Sequence, residues 1–97
     1  MRPYELMYIL RPDLTPEAIE AAKERVRTII ASTGGEFERE AEGWGKRRLA
    51  YEIEDFTEGY YVVCYFKGQP ETVRELDRVL KISEDFLRHI ILRLDER

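Results

Sequence analysis

The residues that most often carry chemistry are sparse in this sequence. His89 is the only histidine, and it lies in an apolar segment with no partner that would make it a general base. Cys64 is the only cysteine, and its apolar neighbours indicate a small buried residue in a reducing compartment. Metal-ligand spacings and phosphate-binding glycine loops are absent. We predict no enzyme activity, no cofactor, no metal and no small-molecule substrate.

Lys46, Arg47 and Arg48 form the one run of three adjacent cations, with acidic segments on both sides. The run can dock a phosphate or an acidic partner, or it can protect a sheet edge against pairing with another chain. In a strand, alternation places Arg47 on one face with Leu49 and Tyr51. Lys46 and Arg48 then point to the opposite face. Composition leaves both interpretations of the run open.

The aromatic run at residues 58–66 loosely resembles the third strand of RNA-recognition-motif domains, which stack bases on exposed rings. That motif usually begins with a cation, whereas this run begins with Glu58. Tyr61 also stands where a small residue is usual. Strands of mixed aromatics more often combine core packing with a protein interface, so base stacking on Tyr61 and Tyr65 is the secondary interpretation.

Local signals in the first half of the chain predict a strand at residues 4–10 and then a helix from Pro16 to about Ser32. Thr15 is the expected N-cap, and Pro16 fits the first helical position. Gly34 and Gly35 end the helix. A half-exposed strand at residues 36–42 follows, interrupted by a bulge or turn at residues 43–45, and a strand or its continuation at residues 46–53.

The second half predicts a turn at residues 55–59, a central strand at 60–66, a helix that starts in residues 68–71, a last strand at 87–94 and a polar tail at 95–97. This order is the α+β ferredoxin-like arrangement βαββαβ. Right-handed crossovers place both helices on one face of a four-stranded antiparallel sheet. The other face is then open to a partner.

Length and charge limit the possible functions. The 97 residues are enough for a single domain, residues 1–97, and the net charge is −4. The protein as a whole is therefore not a basic polyanion binder, and a nucleic-acid contact requires a local patch. The sequence has no stretch long enough to span a bilayer and no signal-peptide profile, so we expect a soluble, cytoplasmic protein.

Residues 45–53 run Gly-Lys-Arg-Arg-Leu-Ala-Tyr-Glu-Ile and resemble the signature of the bacterial small-subunit ribosomal protein six family. The opening residues 1–5, the segment 76–82 and the spacing of residues 59–61 are also similar to that family. Glu54 departs from it, because the family usually carries a small, amide or basic residue there. The resemblance covers essentially the whole chain.

The resemblance implies a ferredoxin-like fold, no catalysis, and a structural role in the cytoplasmic ribosome. The implied partners are small-subunit ribosomal RNA and small-subunit ribosomal protein eighteen, a basic protein. Transferred to this sequence, the RNA contacts are Arg2, Tyr4, Arg88 and, more weakly, Lys81. The implied surface for the protein partner comprises Arg47, Arg48, Glu42 and Tyr51.

Three other interpretations remain open at this point. The first is an RNA-recognition-type module that binds single-stranded RNA on Tyr61 and Tyr65. The second is a small dimerising ferredoxin-like domain without an RNA role. An engineered relative that folds but serves no ribosome would have the same sequence pattern.

Overall fold

The structure is a computed structural model that describes residues 1–95, so Glu96 and Arg97 of the predicted polar tail lie outside the described residues. Its elements follow one another with short connections. In chain order they are β1 (Arg2–Leu10), α1 (Pro16–Ser32), β2 (Glu36–Glu40), β3 (Lys46–Ile53), β4 (Phe56–Gly68), α2 (Pro70–Ile82) and β5 (Phe86–Arg93). None of the described helices is long and apolar enough to cross a membrane.

All paired strands are antiparallel, and the sheet order is β2-β4-β1-β5, with β3 also paired to β4. The sheet therefore has five strand segments where four were predicted. The difference is minor, because β2 pairs with the second half of β4 and β3 with its first half. The predicted interruption at residues 43–45 divides a single sheet edge into two segments. The prediction of a ferredoxin-like fold is confirmed.

The main core lies between the sheet and the two helices. Alternate residues of β1 point to the helices and pack against helix residues that recur at helical spacing. Helix α1 buries Ala22, Val26 and Ile30, and α2 buries Thr72, Leu76 and Leu80. The members from the central strands are Tyr4, Leu6, Tyr8, Leu10, Val62, Cys64 and Phe66.

The ends of α1 agree with the sequence prediction because their signals are local. The Oγ1 of Thr15 accepts a hydrogen bond from the backbone N–H of Ala18 at 3.1 Å. Gly34 has a φ of 84°, which glycine adopts without the steric cost of a side chain. The Thr15 contact fixes where α1 begins, and Gly34 marks where the chain leaves α1 towards β2.

A second, smaller cluster lies on the face of the sheet away from the helices. It consists of Ile9, Leu49 and Leu87, with Ile53 and Phe56 packed against them. The hairpin formed by β3 and β4 therefore covers one end of that face. We use the term open face for the side of the sheet opposite the helices.

The hairpin corrects one turn prediction. The tight turn lies at Glu54 and Asp55, both with positive φ, and the predicted turn residues 56–59 belong to β4. Gly59 is in β4 because of packing. A Cβ there would lie 2.3 Å from the Cγ2 of Ile9, so glycine permits the close approach of β1. The last strand is also displaced by one residue, to Phe86–Arg93.

Candidate protein and RNA interfaces

Cross-strand register defines the open face, because directly paired residues of a sheet point to the same side. Three rows cross the central strands β4, β1 and β5. They are Tyr65, Glu5 and Leu92; Val63, Met7 and Ile90; and Tyr61, Ile9 and Arg88. Ile90 and Leu92 are large apolar side chains that remain exposed on this surface. The face is thus apolar in its middle, with charged groups at its margins.

An aromatic and cationic stack stands at one margin of the open face. The guanidinium carbon of Arg47 lies 4.5 Å from the centroid of the Trp44 ring. The Nη2 of Arg47 also donates a 2.7 Å hydrogen bond to the carbonyl oxygen of Gly43. Trp44 in turn stacks on Tyr61, with centroids 5.9 Å apart, and remains 42% exposed. The stack holds a tryptophan and an arginine in fixed positions at the surface.

Tyr51 and Arg88 form a second pair on the same face. The Arg88 guanidinium carbon lies 5.5 Å from the Tyr51 ring centroid, and the ring is 60% exposed. Leu49 points down between Arg47 and Tyr51, as the predicted alternation requires. Arg48 is exposed and alternates to the opposite side of β3. Glu42 is exposed in the break between β2 and β3.

Tyr4 and Arg2 lie at the far end of β1. The Tyr4 ring is 8% exposed and stacks on Phe66 on the helix side, with centroids 5.3 Å apart. Among the described residues, the Tyr4 hydroxyl is not left both buried and without a hydrogen-bond partner. Arg2 is exposed, and its Nη1 lies 3.2 Å from Oδ2 of Asp95. The phenol ring of Tyr4 is therefore core, and only its polar end can meet a ligand.

Lys81 and Arg88 line one groove between the end of α2 and the start of β5, together with Ser83, Glu54 and His89. In this groove the His89 Nε2 lies 2.7 Å from the Oδ1 of Asp77. The hydrogen bond with His89 and the charge of Lys81 outweigh partial desolvation and lower the pKa of Asp77. The His89 side chain is 11% exposed, and its contact with Asp77 ties β5 to α2.

The predicted RNA contacts separate into two groups. Arg88 is paired with Ile9, seven positions along β1 from Arg2, which corresponds to about 23 Å at the usual rise of a strand. Arg2 and Tyr4 lie at one end of the sheet, and Lys81 and Arg88 lie at the other. Arg88 is in contact with Tyr51, a residue predicted to face the protein partner.

The one cysteine lies away from the surface. Cys64 is buried in the main core, as predicted, and burial raises the pKa of its thiol to about 12. Within residues 1–95 no group of three or more His, Cys, Asp or Glu side chains is placed to hold a metal ion.

Trp44 and Arg93 are not among the candidate interface residues that the sequence predicts. Trp44 was assigned only to a turn, although its position beside the cation run was the available signal. Arg93 had no signal, because its place is set by strand register. It is paired with Tyr4, and its Nε lies 2.7 Å from the Oδ1 of Asp95.

The chain matches a family model described as ribosomal protein S6 over residues 3–93. The small ribosomal subunit protein bS6 of Syntrophomonas wolfei is 62% identical over 97 residues, which cover 100% of both chains. The protein of the same name from Carboxydothermus hydrogenoformans is 51% identical over 96 residues, 99% of each chain. A crystal structure of 30S ribosomal protein S6 from Thermotoga maritima, 33% identical, superimposes with a TM-score of 0.87. That match covers 96% of this chain and 87% of the other.

Proposed function

The chain belongs to the ribosomal protein S6 family, and from this membership we propose that it is a structural, non-enzymatic component of the bacterial small ribosomal subunit. Its place is then the ribosome in the cytoplasm, as the names of its relatives indicate. We further propose that it binds small-subunit ribosomal RNA jointly with small-subunit ribosomal protein eighteen.

The observation that carries the partner proposal is the open face. Exposed Trp44 and Tyr51, each in contact with an arginine, stand beside the apolar Ile90 and Leu92. Tryptophan, tyrosine and arginine are enriched at the few interface positions that carry most of the binding energy. Arg47 acts here through its contact with Trp44. Glu42, exposed in the break between β2 and β3, then contributes to the polar rim of the same surface. Arg48 points to the opposite side of β3, so it can contact the partner only around the sheet edge.

Charge explains why the RNA contact needs a partner. The net charge of −4 opposes association with a polyanion, and a basic protein on the open face makes the joint charge of the pair more favourable for RNA. Arg2 and the Tyr4 hydroxyl supply contacts at one end of the sheet. Arg88 and Lys81 supply them at the other end, which allows the RNA to follow the length of the pair.

Base stacking on the open face is the rival proposal, and the rings it needs are occupied. Tyr65 lies under Arg39, whose guanidinium carbon is 4.2 Å from its centroid. Tyr61 lies against Trp44. A base would have to displace both neighbours, whereas a protein partner can use the exposed Trp44 as it stands. The geometry therefore favours the protein partner.

The first experiment compares binding of small-subunit ribosomal RNA by this chain alone and by its mixture with ribosomal protein eighteen. We expect weak binding alone and strong, salt-sensitive binding by the pair, measured by filter retention at several salt concentrations. Equal affinities for the chain alone and the mixture would refute joint binding. A stable homodimer that ignores the RNA would favour a dimerising domain, and quenching by short single-stranded RNA that Tyr61→Ala abolishes would favour base stacking.

The second experiment separates the two surfaces with single variants. Arg47→Ala should chiefly lower affinity for the protein partner, and Arg88→Ala should weaken RNA binding by about 1 kcal/mol or more through loss of a charge-assisted contact. Arg78→Ala on α2 is the matched control, because it removes the same charge from an exposed helix position. If Arg47→Ala leaves partner affinity intact, the cation run acts only to protect the sheet edge.

A further inference from the structure

We infer that Arg2, Arg93 and the hydroxyl of Tyr4 form a binding site for one RNA phosphate at the end of the sheet, and that the Asp95 carboxylate occupies this site in the free protein. The inference rests on the proposed RNA binding and adds two residues to it. Asp95 acts as an internal competitor that an RNA phosphate must displace.

The four residues converge because of strand register. Arg2 and Tyr4 are alternate residues of β1 and point to the same side, and Tyr4 is paired directly with Arg93 of β5. The backbone N–H of Leu94 donates to the carbonyl of Pro3 at 2.9 Å, which extends the β1–β5 pairing past the end of β5. Asp95 is thereby brought back over the start of β1.

The carboxylate of Asp95 has the contacts that a phosphate would take. Its Oδ1 lies 2.7 Å from the Nε of Arg93, and its Oδ2 lies 3.2 Å from the Nη1 of Arg2. One anionic group thus bridges two guanidinium groups. Guanidinium groups bind phosphate oxygens in the same geometry as carboxylate oxygens. The Tyr4 hydroxyl is a further donor on the same side of the sheet.

Exposure makes the exchange feasible. The side chains of Arg2, Arg93 and Asp95 are 56%, 37% and 34% exposed, so water and a ligand can reach the pair. Ion pairs at such positions contribute little to stability, since solvent screens them. The Asp95 carboxylate is ionised at neutral pH, as an ordinary aspartate is, and the hydrogen bonds from Arg93 and Arg2 outweigh slight desolvation and lower its pKa further. It therefore competes with phosphate at physiological pH.

The test measures binding of small-subunit ribosomal RNA by the pair with ribosomal protein eighteen, using Arg93→Gln and Asp95→Asn. Arg93→Gln should weaken binding about tenfold and lower the steepness of the salt dependence by about one ion. Asp95→Asn should strengthen binding about threefold to tenfold, because it removes the competitor and leaves both arginines in place.

Glu75 and Arg78 provide matched controls, since they form another exposed carboxylate–arginine pair, on α2. Glu75→Gln and Arg78→Gln change the net charge in the same way as the two test variants. We expect both controls to leave RNA affinity within twofold of the original, which separates a local site from a general effect of charge.

The outcomes distinguish this inference from the proposed function. If the unmodified pair binds the RNA but neither Arg93→Gln nor Asp95→Asn differs from its control, the phosphate site is wrong and the proposed function stands. If Asp95→Asn weakens RNA binding, Asp95 helps to hold the arginines in place and does not compete with the phosphate, so the inference of an internal competitor is wrong. If the unmodified pair does not bind the RNA, the proposed function itself fails.

Discussion

Gly59 of β4 lies against side chains of β1 and β3. A Cβ at this position would meet the Cγ2 of Ile9 at 2.3 Å and the Cδ2 of Leu49 at 3.3 Å. Both neighbours belong to the small cluster that fastens the hairpin to the sheet. The hairpin of β3 and β4 can therefore pack over this end of the open face only because Gly59 has no side chain.

Gly59→Ala should destabilise the protein by about 1–3 kcal/mol, because the added methyl group overpacks a site with no space for it. The measurement is the midpoint of urea unfolding. Thr57→Ala, at an exposed position of the same strand, serves as the control and should change the midpoint much less. An unchanged midpoint for Gly59→Ala would mean that β1 moves aside without cost.

Single residues mark the limit of what the sequence could predict about the site. The burial of Cys64 followed from its apolar neighbours and is confirmed. The family resemblance implies an RNA contact at Tyr4, and the Tyr4 ring stacks in the core on Phe66, which lies 62 positions further along the chain. The position of Arg93 opposite Tyr4 is set by strand pairing of the same kind. Such contacts are set by pairing distant segments, which no local pattern encodes.

At the scale of elements, the hairpin turn carries an evident strain. Glu54 and Asp55 have φ values of 50° and 71°, and they are the described non-glycine residues with positive φ. Two-residue turns of this kind favour asparagine followed by glycine, which adopt the left-handed region at low cost. The side chains at Glu54 and Asp55 therefore cost stability that a better turn sequence would recover.

Replacing Glu54 and Asp55 by Asn and Gly should raise the free energy of unfolding by about 1 kcal/mol. Chemical denaturation measures the change. Asp13→Gly is the control, since Asp13 is an exposed turn residue outside the positive-φ set, and glycine there should stabilise nothing. If the double variant is no more stable than the original chain, the turn is not strained.

The bounds of the helices and strands show which features the sequence predicts correctly and which it does not. The bounds of α1 agreed because Thr15, Pro16 and Gly34 are local signals. The hairpin turn was placed too late because Glu54 and Asp55 are not the residues that usually mark such a turn, whereas Gly59 looks like one. The chain uses glycine there for packing. The sequence alone does not distinguish a glycine that is needed for a turn from one that is needed for close packing of two strands.

At the scale of the whole molecule, three carboxylates share one electrostatic behaviour. Hydrogen bonds from Arg78, His89 and Arg93 lower the pKa values of Glu75, Asp77 and Asp95, respectively. These groups bind protons less readily in the folded state than in the unfolded chain. Their contribution is present above the ordinary values of 4.5 for Glu and 3.8 for Asp, and it is lost as pH falls through the lowered values.

We therefore expect the urea midpoint to be nearly constant from pH 7 to pH 5 and to fall between pH 4.5 and pH 3. Asp77→Asn removes one of the three groups and should make this fall shallower. High salt should have a similar effect, because the carboxylates of all three pairs reach solvent and are screened. An equal midpoint at pH 7 and pH 3 would exclude these pairs as contributors.

The central position of β1 has a consequence for synthesis on the ribosome. This strand is made first, but its neighbours are β4 and β5, and the second of them ends at Arg93. The 83 residues from Leu10 to Arg93 take roughly 4–17 s to translate at ~5–20 residues per second. Both hydrogen-bonding edges of β1 lack their native neighbours for much of that interval. The hazard of misassociation therefore belongs to the nascent chain, before the finished protein has hidden β1 between its partners.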